Sequence, residues 1–513
     1  MKHTLLPRLL LLLALGGHTS AGQAQILSDS WQPSPRYEVR AVWLTTLSGL
    51  DWPSRPARTA ADTARQRQEL RDIFDHLQAT GINTVIFQAR IRATVAYPSS
   101  IEPWDAAFSG LAGTAPPYDP LDFAVTEAHR RGMELHAWVV AFPICSVAQE
   151  RQLGRDALPR LRPELCRRCG DRWMMDPGVP ATADYLADIC REIVSRYDVD
   201  GIHLDYIRYP EQGIPWNDAA TYRRYGHGQP LADWRRDNVT RVVEHIYRAV
   251  KAVRPWVKLS CSPVGKYADL PRQSSFGWNA RDAVFQEAQT WLRRGLMDML
   301  FPMMYFDGQH FYPFALDWQE QAGGRPVVPG LGIYFLSEKE KNWPLATITR
   351  QLNFMRSLHM GGAAFFRSRF LTDDVKGLRG FLADGFYSRP ALVPPMTWAD
   401  SIPPTVPQLH VDRQGCAVTL TWTTAADNTP ATPVRYNIYR LPPDTATLTL
   451  EHAHLIAHGL TTTSFTDLPT TATAAANGYA VTAVDAYGNE CTLVAERNAI
   501  PAKPFRPRVL PHP

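Results

Sequence analysis

From Tyr37 to Tyr387 eight short apolar runs alternate with amphipathic stretches. The apolar runs are Val39–Thr46, Asn83–Ile91, Met133–Phe142, Gly201–Tyr206, Val257–Ser262, Met299–Phe306, Val327–Ile333 and Gly362–Phe366. Each is short and bounded by turn residues, and so reads as a buried strand. Helical patterns fall between them at Thr59–Ala79, Pro120–Arg131, Ala181–Tyr197, Asn238–Val253, Val284–Gly295, Ile348–Leu358 and Val375–Ala383. Parallel neighbours need a crossover, and eight strand–helix units over about 350 residues are what a (β/α)8 barrel with insertions requires. An open, doubly wound sheet would normally carry a Gly-rich phosphate turn after the first strand, and none is present. The sequence therefore predicts an α/β chain with a TIM barrel over residues 37–388.

After Ser388 the texture changes. Residues 389–404 hold Arg389-Pro390-Ala391-Leu392-Val393-Pro394-Pro395 and Pro403-Pro404, a stiff linker. Beyond it only short, Thr-rich alternating strands appear: Ala417–Trp422, Arg435–Tyr439, Ser464–Thr466, Gly478–Val484 and Glu490–Val494. Turn residues between them predict a small all-β sandwich over residues 405–501. The phrases Val418-Thr419-Leu420-Thr421-Trp422, Tyr436-Asn437-Ile438-Tyr439-Arg440 and Tyr479-Ala480-Val481-Thr482-Ala483-Val484-Asp485 resemble a fibronectin type III domain. Residues 502–513 are Pro-rich and read as a disordered tail.

The first 24 residues read as an export signal: Lys2 and Arg8, the apolar core Leu9–Leu15, then small residues through Ala24. That core is too short to span a bilayer, and no later stretch is long and apolar enough to be a transmembrane segment. A periplasmic, extracellular or envelope-associated location is expected. The formal charge of +4 includes Lys2 and Arg8, which argues against nucleic acid as partner. Seven cysteines in an exported chain permit disulfides. Cys166 and Cys169 form a C-x-x-C without two further zinc ligands nearby, so a bridge among Cys145, Cys166 and Cys169 is the expectation. Cys190 and Cys261 read as buried thiols. No cofactor and no metal site is implied.

The segment Asp200-Gly201-Ile202-His203-Leu204-Asp205-Tyr206-Ile207-Arg208-Tyr209-Pro210 concentrates the chemistry. A strand's period of two puts His203, Asp205 and Ile207 on one face, with Leu204, Tyr206 and Arg208 on the other. The C-terminal end of a barrel strand is where active sites are built. Polar and aromatic groups at the other strand ends are Arg40, Trp43, Gln88, Arg90, Tyr97, Trp104, His136, Trp138 and Tyr305. Aromatic rings suit the C–H faces of sugars, and planar polar groups suit their hydroxyls. Glycoside cleavage needs two carboxyl groups in different protonation states. Asp205 is the expected ionised member, nucleophile or base, with Arg208 and His203 holding its pKa down. Glu102 and Asp307 are the candidate proton donors. Glu102 before Pro103 and Asp307 before Gly308 equally suit plain turns, and the tryptophans equally suit a core.

Phrases in one order along the barrel carry a family resemblance. They are Glu38-Val39-Arg40-Ala41-Val42-Trp43, Phe87-Gln88-Ala89-Arg90, Tyr97-Pro98-Ser99-Ser100, Glu102-Pro103-Trp104, Tyr118-Asp119-Pro120-Leu121, His129-Arg130-Arg131-Gly132, His136-Ala137-Trp138, Asp176-Pro177-Gly178 and the Asp200–Pro210 segment. The barrel resembles the glycosyl-hydrolase-like family 10 group of bacterial exported proteins. The resemblance implies a TIM-barrel glycosidase with its catalytic Asp at Asp205, acting on peptidoglycan glycan strands or another polysaccharide. Three departures from the family pattern bear on the acid/base residue and substrate. Asp-Asp-Tyr is replaced by Asp205-Tyr206-Ile207. Asn-Pro-Tyr-Arg is replaced by Ala141-Phe142-Pro143-Ile144, and Pro-Gln-x-Tyr-Trp by Pro302-Met303-Met304-Tyr305-Phe306. The missing second Asp makes a non-catalytic glycan-binding barrel the alternative. A metal hydrolase would require a metal at His136 or His203.

Overall fold

The computed structural model describes residues 34–496 apart from 212, 415–416, 430–431, 433, 442–453, 470–477 and 494. The predicted export signal and tail lie outside the described residues.

Eight parallel strands follow one another around the sheet: β1 Val39–Leu44, β2 Thr84–Arg90, β3 Glu134–Val140, β4 Gly201–Asp205, β5 Lys258–Cys261, β6 Met299–Leu300, β7 Gly330–Leu331 and β8 Gly362–Phe365. Their spatial order is β7-β8-β1-β2-β3-β4-β5-β6. Parallel bridges Leu300↔Val327 and Met303↔Gly330 join the two ends, closing the TIM barrel. The strand period sorts the side chains. Val39, Ala41, Trp43, Ile86, Trp138, Val140, Met299, Phe301, Val328 and Ala364 fill the barrel. Val42, Leu44, Val85, Phe87, Leu135, Val139, Ile202 and Leu204 face outward into the helical layer. Each fully buried side chain of this size stabilises the fold by about 1.5–3 kcal/mol.

Local signals start the helices where the sequence places them. Thr59 accepts from Asp62 N while the Asp62 carboxylate accepts from Thr59 N, a capping box opening Ala60–Ala79. Asp119 caps Pro120–His129, with proline at the first turn. β8 begins at Gly362 because a Cβ there would stand 1.9 Å from the carbonyl oxygen of Val39, and its φ of +135° disfavours any other residue.

Three expectations need correction. The sixth and seventh strands shrink to two residues each, because Pro302, Pro326 and Pro329 cannot donate to a ladder. The last predicted helix is broken into short turns where Asp374 and Lys376 take positive φ. No disulfide joins Cys145, Cys166 and Cys169; all three are free and buried, as are Cys190, Cys261 and Cys491. Residues 143–175 form an antiparallel sheet of Pro143–Ser146, Cys166–Cys169 and Arg172–Met175, with the last strand in the middle. Cys166 and Cys169 point to opposite faces of one strand, and the central strand separates both from Cys145. Cys416 lies outside the described residues.

The C-terminal residues form two antiparallel sheets. One holds Leu409–Gln414, Ala417–Trp422 and Ser464–Asp467; the other holds His454–Leu460, Arg435–Leu441, Gly478–Val484 and Ala495–Glu496. Val418, Leu420, Trp422, Tyr436, Ile438, Tyr479 and Val481 share the core between them. These sheets dock on the N-terminal end of the barrel, opposite the strand ends that carry Asp205. Arg435 lies 3.5 Å from Asp200, and Trp398 donates to Asp298 at 3.1 Å. No helix among the described residues is long and apolar enough to cross a membrane.

Candidate active site

Asp205 is the last residue of β4, and its carboxyl points into the barrel mouth. Register places Trp138, His203 and Ser260 side by side on β3, β4 and β5, one step below it. Trp138 Nε1 donates to Asp205 Oδ2 at 3.2 Å, Ser262 Oγ donates to Oδ1 at 2.9 Å, and the Tyr206 amide donates to Oδ1 at 2.8 Å. Asp205 keeps 6% exposure. Burial raises its pKa above the ordinary carboxyl value; the three donors and the charge of Arg208 pull it down without cancelling that rise. The net direction is upward, not the lowering expected from Arg208 and His203.

His203 does not supply the expected positive charge. Trp43 Nε1 can only donate, and it lies 3.2 Å from His203 Nε2. Nε2 must therefore accept, so the proton sits on Nδ1, which meets Ser260 Oγ at 3.0 Å. Burial, with His136 adding to it, drives the His203 pKa well down. The ring is a neutral strut between β1, β4 and β5, packed edge-on against Trp43 and Phe301.

The alternation expected through Arg208 stops at Asp205. Tyr206 takes a positive φ of 51°, which turns its ring inward onto the barrel-filling cluster and sends Ile207 outward into the helical layer. The reversal brings Arg208 to the mouth, its guanidinium 4.6 Å from the Tyr206 ring and 5.1 Å from that of Trp278. Arg208 is 4% exposed, and its Nε and Nη1 have no acceptor among the described residues. Tyr305 lies within reach of the Asp205 charge, which adds to burial in raising its pKa. Its ring meets those of Phe366 and Tyr334 at 5.5 and 5.9 Å. Asp205, Trp43, Trp138, His203, Arg208 and Tyr305 therefore converge. Ser262, Tyr206, Phe366 and Glu211 join them without having been singled out in the sequence. Ser262 was legible in principle, as the residue just beyond β5 at the level of Asp205.

The other expected site residues lie elsewhere. Arg40 sits at the start of β1, at the barrel's far end, donating to Glu38 at 2.8 Å and lying 4.1 Å over the Tyr387 ring. His136 is also low in the barrel, bound to Glu134 at 3.1 Å. Gln88 Oε1 accepts from Thr45 Oγ1, Thr46 N and Leu47 N, fixing the loop after β1. Glu102 is spent on Arg90, with contacts of 2.6 and 2.8 Å, and also accepts from Tyr185 at 3.0 Å. Its side chain is 1% exposed. Arg90 also donates to the Val140 and Ala141 carbonyls, tying β2 to β3. Tyr97 is buried against Tyr197, and Trp104 is half-buried on the loop after β2. Asp307 is exposed, starting a short turn without capping it. Beside the mouth, a groove of about 300 Å³ runs past Arg92, Ser48, Arg55 and Gln149. Among the described residues no cluster of three or more His, Cys, Asp or Glu is poised for a metal.

Sequence comparison matches residues 38–339 to the glycosyl hydrolase-like 10 family. Glycosyl hydrolase YngK of Bacillus subtilis (strain 168) is 32% identical over 396 residues, covering 72% of this chain and 76% of that protein. Glycosyl hydrolase DigH of Escherichia coli (strain K12) is 35% identical over 288 residues, which are 52% of this chain and 65% of that protein. Among solved structures, the glycoside hydrolase domain of PgaB (BpsB) from Bordetella bronchiseptica aligns with a TM-score of 0.47 at 14% identity. That alignment covers 67% of this chain and 98% of the other. On the family match, which spans more than half of the sequence, the chain belongs to the glycosyl hydrolase-like 10 family.

Proposed function

We propose that the protein is an exported glycoside hydrolase that cleaves glycosidic bonds in a bacterial cell-wall glycan or another polysaccharide, with Asp205 as its proton donor. The observation that carries this reading is the Asp205 carboxyl at the barrel mouth, held by Trp138 and Ser262 beneath aromatic side chains. A glycosidic oxygen departs easily only if a proton reaches it as its bond breaks, and burial that raises a carboxyl's pKa favours the form that carries that proton. Tyr206 and Tyr305 offer ring faces for sugar C–H patches. The free N–H groups of Arg208 offer donors for hydroxyls.

Action outside the cytoplasm is supported by the leader-like first 24 residues. The C-terminal sheets are read as a fibronectin type III-like module over residues 405–501, following a linker at 389–404 and bracing the barrel of residues 37–388 from the end opposite its mouth. A second reading, a glycan-binding barrel without turnover, is favoured by one observation: Glu102 is consumed by Arg90.

Purified protein incubated with peptidoglycan glycan strands and a polysaccharide panel separates the two. Hydrolysis by wild type that is lost in Asp205→Asn, with binding retained, supports the enzyme. Binding without hydrolysis in wild type supports the second reading.

A further inference from the structure

Two carboxyls border the guanidinium of Arg208, and only one of them sits on a barrel strand. Asp205 feels its charge from the end of β4. Glu211, six residues on, accepts from Arg208 Nη2 at 2.8 Å. Arg208 stands 4.6 Å from the ring of Tyr206, whose amide donates to Asp205, so the Arg208–Glu211 pair lies beside Asp205 at the mouth. The Glu211 side chain is 33% exposed, open to a water molecule, whereas Glu102 is sealed.

The two carboxyls also differ in electrostatic setting. Burial acts to raise both. At Glu211 the charge and hydrogen bond of Arg208, with Arg172 adding to them, outweigh burial and hold the pKa below the ordinary value. At Asp205 burial prevails. Neighbouring carboxyls whose environments push them to opposite protonation states divide the roles of acid and base between them.

We infer that Glu211 is the second catalytic carboxylate, the base that activates the hydrolytic water opposite Asp205. This rests on the hydrolase reading above. Glu211 takes a proton from water as the water oxygen bonds to the anomeric carbon. The bond from that carbon to the glycosidic oxygen breaks with its electron pair on the oxygen, which takes the Asp205 proton. Glu211 then releases its proton to solvent and Asp205 regains one, so the pair resets. Displacement by water in one step inverts the anomeric centre. Arg208 is the positioning residue that keeps Glu211 ionised and aimed.

The test uses the full chain and whichever panel glycan the wild type cleaves, comparing wild type, Glu211→Gln and Glu211→Ala, with thermal unfolding as the folding control. Expected for Glu211→Gln is a kcat lower by about 100-fold or more, a KM within a few-fold, and loss of the acidic limb of the pH–rate profile. Azide should restore turnover to Glu211→Ala as a glycosyl azide, and the first wild-type product by NMR should be the inverted anomer. A kcat within tenfold, an intact acidic limb or a retained anomer overturns the inference. A raised KM with the limb in place also does so, because it means Glu211 only holds Arg208. A wild type that cleaves no glycan removes the hydrolase reading itself. Loss of activity in Asp205→Asn but not in Glu211→Gln removes only this inference.

Discussion

Trp138 Nε1 and Asp205 Oδ2 are 3.2 Å apart, and the indole N–H stabilises the charged form of a carboxyl whose pKa burial raises. Removing that donor raises the Asp205 pKa further. A proton donor loses activity as pH climbs through its pKa, so Trp138→Phe should move the alkaline limb of kcat/KM upward. A hydrogen bond to a charged group is worth about 1.5–3 kcal/mol, which corresponds to about one to two pH units. The pH–rate profile checks this; an unmoved limb means that another group donates the proton.

Glu102 and Arg90 form a buried ion pair whose members, among the described residues, hold no other opposite charge within salt-bridge distance. Glu102→Ala leaves a guanidinium stranded in the interior, so it should cost about 3–5 kcal/mol of stability. Chemical denaturation measures that cost. At a temperature where the variant stays folded, kcat should remain within a few-fold of wild type, whereas a proton donor would lose several orders of magnitude.

How far the sequence could be read follows from what each signal reports. The eightfold alternation reported burial, and burial decides the barrel, so the fold was legible while the ends of β6 and β7 were not. His203 and Asp205 were placed on one face correctly because a strand's period holds inside the strand. Tyr206 broke that period with a positive φ that no residue type announces. Arg208 therefore arrived at the mouth by a route the alternation did not predict. Arg40 and His136 were misassigned for a simpler reason: they come early in their strands, and the early end of a parallel barrel strand faces away from the site. Glu102 was a reasonable carboxylate until its partner was known. Its partner lies in the same strand–loop unit, 12 residues earlier, and nothing in spacing alone identifies an ion pair.

His129 belongs to the docking surface between barrel and C-terminal sheets, meeting Asp200 at 2.8 Å, with Arg435 on the same carboxylate. Burial acts to lower the His129 pKa, but Asp200 overrides it and the net shift is upward. A group raised on folding contributes stability that is full below its unfolded pKa and is lost as pH rises through the folded one. His129→Ala should therefore destabilise more at about pH 5.5 than at about pH 8.5, on either side of the ordinary histidine value. Denaturant titrations at the two pH values measure the difference, and an equal loss at both removes the charge from the account.

Asp205 leads to an expectation of the same sign, by the same linkage. Its pKa is raised on folding, so the stability it lends is present while the carboxyl is protonated and disappears as pH rises through the folded value. Near neutrality the folded protein bears the cost of ionising a group that is almost fully enclosed. Asp205→Asn abolishes that titration. It also loses one hydrogen bond at any pH, because the amide N–H must face either the Trp138 donor or the Ser262 and Tyr206 donors. That loss is about 1 kcal/mol and independent of pH. The difference in unfolding free energy between Asp205→Asn and wild type should thus climb in favour of the variant as pH rises from about 4 to 8, whatever its absolute sign. Enzyme sites commonly trade stability for reactive groups in this way. A difference that stays flat across that range would mean that the carboxyl titrates alike in the folded and unfolded chain, and the proton-donor assignment would lose its physical basis.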